Sequence, residues 1–343
     1  RITERLTERF ATGTATTPRR LFFPLLPRRR AREEQFENFF SRNGQLHLRD
    51  PQLFARQPEQ MMRAFEHAQE RKLELSAQLT ALLGRRLRRG AAGLTGQRTV
   101  EVGGRPLQAK KAVIIASGAE PATPSIPGLE GVEYWTNREA VMTPALPASL
   151  IVLGGGPVGV ELAQAFARFG TSVHVVEALD RLLPAEEPEA GNLLAGYFEK
   201  ESIGVTTSAH VARVQKGGDG IRLTLASGEE RSAERLLVAT GRRPNLQGFG
   251  LAAAGLSTTE KGWLKIDPQT LEAGDGIWGA GDITGIAGFT HLAWYHGGLI
   301  ARALKGERIQ ANHSAMPRVT FTDPEIAAVG LSEEQARNRF RDV

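Results

Sequence analysis

The chain has 343 residues, enough for two or three domains of ordinary size, with 41% hydrophobic and 24% charged residues, a globular composition. It contains no cysteine, which excludes disulfides, Cys-ligated metal sites and thiol catalysis by these residues, and it has no run of eighteen apolar residues to span a membrane. The net charge of +5 hides two unlike parts: residues 1–100 hold 20 basic and 10 acidic side chains, the rest 23 and 28.

The first twenty residues mix Arg and Glu without an apolar stretch, so no secretory signal is expected and a cytoplasmic location is. Residues 1–60 follow neither a period of 2 nor one of 3.6. Over 61–89, Met62, Phe65, Ala68, Leu73, Leu75, Leu79, Leu82 and Leu83 recur at helical spacing, until glycines from 90 to 96 break the pattern. Thr99-Val100-Glu101-Val102, Gly103-Gly104 and Arg105-Pro106-Leu107 predict a strand, a glycine turn and a return strand. Residues 110–115 rise into a buried strand that ends at Ala116-Ser117-Gly118, and 121–147 form a Pro-rich connection. From 150 to 241 strands and helices alternate, the pattern of a parallel sheet, closed by an apolar strand over 233–240. Short strands and a loop over 260–285, a helix over 288–305 and a new strand-like segment over 317–329 complete the chain.

The most informative stretch lies inside the alternating region. Ser149-Leu150-Ile151-Val152-Leu153 is a short apolar strand that runs into Gly154-Gly155-Gly156-Pro157-Val158-Gly159, a G-x-G-x-x-G sequence. A helix follows, with Leu162, Ala165, Phe166 and Phe169 expected on one face and Gly170 at its end, and then a second strand that stops at Glu177. Gly154 permits the tight turn, Gly156 lets the backbone approach a pyrophosphate, and Gly159 lets helix and strand pack closely. Free N–H groups and the positive end of the helix dipole suit a diphosphate. A carboxylate at Glu177 suits the hydroxyls of an adenosine ribose and opposes a 2′-phosphate, with repulsion of at most ~4 kcal/mol at ~4 Å. NAD(H) is therefore expected over NADP(H), although Arg181 stands four residues further on. A lone glycine fingerprint could be an ordinary turn; here strand, fingerprint, helix, strand and acid fall in order.

From these residues the sequence resembles the class I pyridine nucleotide–disulfide oxidoreductases, the lipoamide dehydrogenase and mercuric reductase kind. The likeness spans about 98–337. It rests on Ile114-Ile115-Ala116-Ser117-Gly118-Ala119-Glu120-Pro121, on 154–161, on Ala239-Thr240-Gly241-Arg242-Arg243-Pro244-Asn245, on Ile277-Trp278-Gly279-Ala280-Gly281-Asp282, and on 317–325. The resemblance implies an α/β fold in which a Rossmann-type NAD domain is inserted into a split FAD-binding domain, followed by an α+β dimerisation domain. It places the backbone of Ser117 and Gly118, and Gly281 with Asp282, against FAD, and Gly241 beside the nicotinamide nucleotide. It makes Glu161 the candidate catalytic residue, matching a helix glutamate that pairs with a lysine near the flavin N5.

The sequence departs from that pattern in three places. Residues 1–100 carry no G-x-G-x-x-G of their own, the family's C-x4-C pair is absent together with the lysine that follows it, and the family's His-Glu pair has no match in His291, His296 or His313. Each of those histidines is expected to be structural, and no metal site is expected. A shifted or rearranged reading frame over 1–97 is the expectation that covers the charge asymmetry and the missing fingerprint together, since a shifted frame in GC-rich coding sequence tends to yield Arg, Pro, Ala and Gly. The expected organisation is thus an aberrant or poorly ordered 1–97, a partial FAD-binding region over 98–147, the NAD domain over 148–268, a second FAD portion over 269–312, and a truncated dimerisation segment over 313–343.

The function expected is an FAD- and NAD-linked oxidoreductase that passes hydride from NADH to flavin, with a small-molecule electron acceptor, no membrane partner, and a homodimer interface mostly missing. Two alternatives stand beside it: a truncated NAD-binding module with impaired turnover, and nucleic-acid binding by the Arg-rich N-terminal segment, with clusters at 28–30 and 85–89.

Overall fold

A computed structural model of the chain describes residues 88–218 and 220–340. The sequence expectations for 1–87 lie outside these residues. The first elements among the described residues are three antiparallel strands, β1 (Ala92–Gly96), β2 (Thr99–Val102) and β3 (Arg105–Gln108). Gly103 and Gly104 join β2 to β3 with φ of 58° and 77°, the paired positive values that a tight two-residue hairpin turn demands. Among the described residues, regular structure is already present from Ala92, before the boundary at 97 expected from the sequence: Ala92 to Leu94 pair with Val102 to Val100, and Leu94 is buried.

The central unit is a parallel sheet in the order β12–β6–β7–β8, built from β6 (Ser149–Leu153), β7 (Ser172–Val176), β8 (Gly204–Thr206) and β12 (Arg235–Val238). Its strands β6 and β12 are apolar and buried at nearly every position because both faces are covered. Side chains alternate along β6, so Leu150 and Val152 join one core with helix residues Val160, Ala163 and Phe166 of α2 (Pro157–Arg168) and Leu194 and Phe198 of α3 (Pro188–Lys200). Ile151 and Leu153 point the other way, into a second core with Val214, Ile221 and Leu223.

That second core corrects the expected alternation of strands and helices. Residues 211–233 form an antiparallel meander instead, β9 (Val211–Gly217), β10 (Gly220–Leu225) and β11 (Glu230–Ala233). Ile221, Leu223 and Leu225 are buried at a period of two, the signature of a strand with one face on a core. The stretch 121–147 is also more than a connection. Thr136 and Glu139 form a capping box that starts α1 (Asn137–Met142), Trp135 bridges in parallel to Leu237, and Leu129 and Ala140 are fully buried in the two cores of the parallel sheet.

A third core gathers Leu94, Ile115, Leu256, Leu264, Ile277 and Ile283. It lies on the sheet of β14 (Glu272–Gly274), β15 (Ile277–Gly279) and β4 (Val113–Ile115), in which β4 and β15 run parallel. Residues 256 and 264 pack here, although the sequence groups them with the dinucleotide unit. Two short strands, β5 (Ala119–Pro121) and β13 (Arg242–Pro244), pair antiparallel. Helix α4 (Thr290–Ala303) buries Leu299 and Ile300 against Leu271, Ala280 and Ala311. A hairpin of β16 (Pro317–Thr320) and β17 (Ile326–Val329) and the capped helix α5 (Glu333–Arg339) end the described chain.

Candidate functional site

The loop between β6 and α2 is built by its glycines. Gly154 has φ of 113°, and a Cβ there would lie 2.5 Å from the Ala239 carbonyl oxygen. A Cβ on Gly159 would lie 1.9 Å from the Gly154 carbonyl oxygen, so helix and loop touch backbone to backbone. At Gly156 a Cβ would meet nothing within 4 Å. That open space at the N-cap of α2, whose first turn has no side-chain cap and starts with Pro157, leaves amide donors free to face an anion. The loop therefore fits a diphosphate. Of the face expected from the sequence, Ala165 and Phe166 are buried, with Leu162 partly buried against the same core and Phe169 intermediate; Val160 and Ala163 complete the buried stripe of α2. Val158, in the first turn, stays 38% exposed.

Glu177 follows the end of β7 and is buried at the loop. Its Oε2 accepts the Gly155 amide at 2.5 Å and its Oε1 accepts the Leu179 amide at 2.8 Å. The Leu183 amide, on the same segment, donates to the Gly155 carbonyl at 2.8 Å, so residues 177–183 form a second wall of the crevice. Arg181 is turned to Asp180, at 2.9 Å, and to the Pro184 carbonyl, at 3.2 Å.

Glu161 lies one turn beyond Val158. Its expected lysine is replaced by a backbone donor: the Phe321 amide, from the turn between β16 and β17, donates to Glu161 Oε1 at 2.9 Å. Burial pushes the Glu161 carboxyl up to about 7, and the Phe321 amide only partly opposes this. One turn on, fully buried Gln164 donates to the Asp323 carbonyl at 2.9 Å and to Glu201 at 3.0 Å, and accepts the Asp323 amide at 2.8 Å. Arg168 makes a two-pronged pair with Glu201, at 2.6 and 2.9 Å, and reaches Asp323 Oδ2 at 3.1 Å. Sequence reading missed this ladder. Its only trace is a polar residue, Gln164, on a face that the helical period makes apolar.

The remaining candidates gather where the chain leaves and re-enters the parallel sheet. The Gly241 carbonyl accepts the Ala122 amide at 3.0 Å, Thr240 Oγ1 donates to the Ala122 carbonyl at 3.1 Å, and the Gly118 carbonyl accepts the Asn245 amide at 3.2 Å. The Ser117 hydroxyl oxygen is buried and has no hydrogen-bond partner among the described residues. Gly281 and Asp282 begin a single 3-10 turn, with Gly281 at φ of 74° and Asp282 ion-paired to Arg242 at 2.9 Å. The structure thus brings Ser117, Gly118, Gly241 and Asp282 to one junction through residues 117–122 and 240–245. Two features fit a flavin ribityl–pyrophosphate chain there: the orphaned Ser117 oxygen, and a glycine turn that carries a carboxylate. A second strand–glycine–helix fingerprint is not found among the described residues.

His296 and His313, distant in the sequence, meet at 3.0 Å between their Nε2 atoms. The Gly281 amide donates to His296 Nδ1 at 3.2 Å, so neutral His296 carries its proton on Nε2 and donates it to His313. Burial and the neighbouring ring push His296 down to about 4, and burial lowers His313 as well. His291 instead stacks on Phe289 with ring centroids 5.2 Å apart. Among the described residues no group of three or more His, Asp or Glu could hold a metal ion, and no helix is long and apolar enough to cross a membrane.

A model of the family described as pyridine nucleotide-disulphide oxidoreductase matches residues 29–297, and so begins inside the segment that the sequence reading set apart as aberrant. Mercuric reductase from Bacillus cereus is 36% identical over 264 residues, covering 76% of this chain and 42% of that protein. Mercuric reductase from Streptomyces lividans is 41% identical over 226 residues, covering 65% and 48%. The chain spans less than half the length of these relatives. Among solved structures, the HOCl-induced flavoprotein disulfide reductase RclA from Escherichia coli has a TM-score of 0.75 at 26% identity, over 84% of this chain and 68% of that one. LpdA from Mycobacterium tuberculosis has a TM-score of 0.71 at 26% identity, over 86% and 64%.

Proposed function

The chain belongs to the pyridine nucleotide-disulphide oxidoreductase family, and from that premise we propose that it binds NADH on the Gly154–Gly159 loop and delivers hydride to a flavin seated at the 117–122 and 281–282 junction. The single observation that carries this reading is the loop itself, with open space at Gly156 and backbone contact at Gly159. The amides of the first turn of α2 hold the diphosphate. Glu177, pinned by the Gly155 and Leu179 amides, keeps its remaining lone pairs for the ribose hydroxyls and repels a 2′-phosphate. Arg181 is engaged with Asp180 and Pro184, which favours NADH over NADPH.

Ser117, Gly118 and Gly281 would approach the flavin through backbone and hydroxyl, and Asp282, steadied by Arg242, through its carboxylate. When bound, a flavin supplies the ring that accepts the hydride. Val158 and Glu161 would flank the nicotinamide, and Gly241 would lie beside it. In this arrangement the NAD domain is the parallel sheet with its helices and meander together with Leu129 and Ala140, the FAD portions share the core of Leu94, Ile115, Leu256, Leu264, Ile277 and Ile283, and 313–343 opens the interface domain. None of these residues is Cys, so they supply no dithiol to the acceptor, which we take to be a small molecule.

The test is an absorbance spectrum of the purified chain before and after NADH is added. A flavin band that bleaches with NADH and returns with an acceptor supports the reading. A colourless protein that takes up no added FAD removes the flavin half, and leaves the second reading, a nucleotide-binding module without turnover.

A further inference from the structure

Three side chains on one face of α2, Glu161, Gln164 and Arg168, are spaced three and four residues apart, and all three engage residues 321–323. Gln164 is fully buried, and it treats the Asp323 backbone as a strand neighbour would, satisfying both its N–H and its C=O. The same hairpin reaches the other wall of the nucleotide crevice, where Arg318 pairs with Glu186 at 2.7 Å, both side chains nearly buried. The hairpin is thus fastened to the helix that follows the glycine loop and to the segment that follows Glu177.

We propose that Gln164 and Arg168 are positioning residues for Glu161: by clamping the 321–323 turn onto α2 they hold the Phe321 amide against the Glu161 carboxylate, keep water from it, and make the hairpin a working part of the nucleotide site. The inference rests on the nucleotide reading above. Among the described residues no other charge takes over this task. Asp323 and Glu201 are engaged by Arg168, Arg318 by Glu186, and Glu139 on neighbouring α1 by Thr136, while Glu325 is exposed. With its lysine absent, Glu161 takes its orientation from this turn, so what loosens the turn is felt at the nicotinamide end of the crevice.

The experiment uses the full chain and the Gln164→Leu variant, which preserves size but removes the bonds to Asp323. Amide exchange at Phe321 and Asp323 is measured together with NADH affinity, by fluorescence titration, across neutral pH. The unaltered chain should show an affinity change centred near the Glu161 value of about 7. In the variant the two amides should exchange at least ~10-fold faster, NADH should bind several-fold more weakly, and the midpoint should fall toward an ordinary carboxylate as water reaches Glu161. Arg168→Met should act in the same direction and Arg168→Lys should restore part of the effect, a graded rescue that also decides the matter if Gln164→Leu does not fold. Faster exchange with unchanged affinity and midpoint overturns the proposal alone, and so does unchanged exchange. Failure of the unaltered chain to bind NADH at any pH overturns the nucleotide reading first, and the proposal with it.

Discussion

Replacing Glu161 by Gln should stabilise the chain at alkaline pH and hardly change it at acid pH. The buried carboxyl ionises near 7, against 4.5 for a free glutamate, so the folded chain keeps a proton that the unfolded chain has already released. Stability from that proton is complete below the unfolded value and is lost as pH rises through the folded one. At ~1.4 kcal/mol for each pH unit between the two values, ionisation in the folded chain costs about 3 kcal/mol more than in the unfolded chain. The amide of Gln stays neutral, and its carbonyl can still accept the Phe321 amide, so the contact at 2.9 Å survives. Urea unfolding of both chains at about pH 5 and about pH 8.5 separates this effect from every other titrating group, since only the difference between the chains is read. The variant should gain about 2–3 kcal/mol on the parent between those conditions. Parallel stability curves would refute the reasoning, and so would a variant that loses ground as pH rises.

Other substitutions probe the same site from different sides. Gly159→Ala puts a methyl 1.9 Å from the Gly154 carbonyl oxygen, so α2 must retreat; thermal melts should show a loss of about 1–3 kcal/mol or more, with NADH affinity falling alongside. Gly156→Ala meets nothing within 4 Å, and should leave the melt nearly unchanged while weakening NADH at least ~10-fold by filling the phosphate space. Glu177→Gln keeps an acceptor for the Gly155 amide, turns its NH2 toward the Leu179 amide and removes the charge; competition titrations should move the NADPH-to-NADH preference at least ~10-fold toward NADPH. Because His296 is held down to about 4, its contribution is present above the ordinary histidine value and is lost as pH falls toward 4; His296→Gln should flatten that acid limb in unfolding curves.

The sequence by itself determined the elements whose signal is local. Alternating and continuous apolar runs specify β6, β7 and β12, the pair Gly103-Gly104 specifies a hairpin turn, and the order of strand, glycine loop, helix and acid specifies the crevice at Gly154–Glu177. These depend on backbone conformation and on periods of two or 3.6, which are written residue by residue. Tertiary structure alone decided that 211–233 forms a meander over the second face of the parallel sheet, and that 126–142 contributes Leu129 and Ala140 to its cores. It alone decided that Glu161 trades a lysine for the Phe321 amide, that Gln164 and Arg168 bind Asp323, that Arg242 meets Asp282, and that His296 meets His313. Each of those pairings joins residues between 17 and 160 positions apart. No periodicity records such a partner: a buried Gln or Glu is tolerated only where folding brings a matching donor or acceptor, and that match exists only in three dimensions.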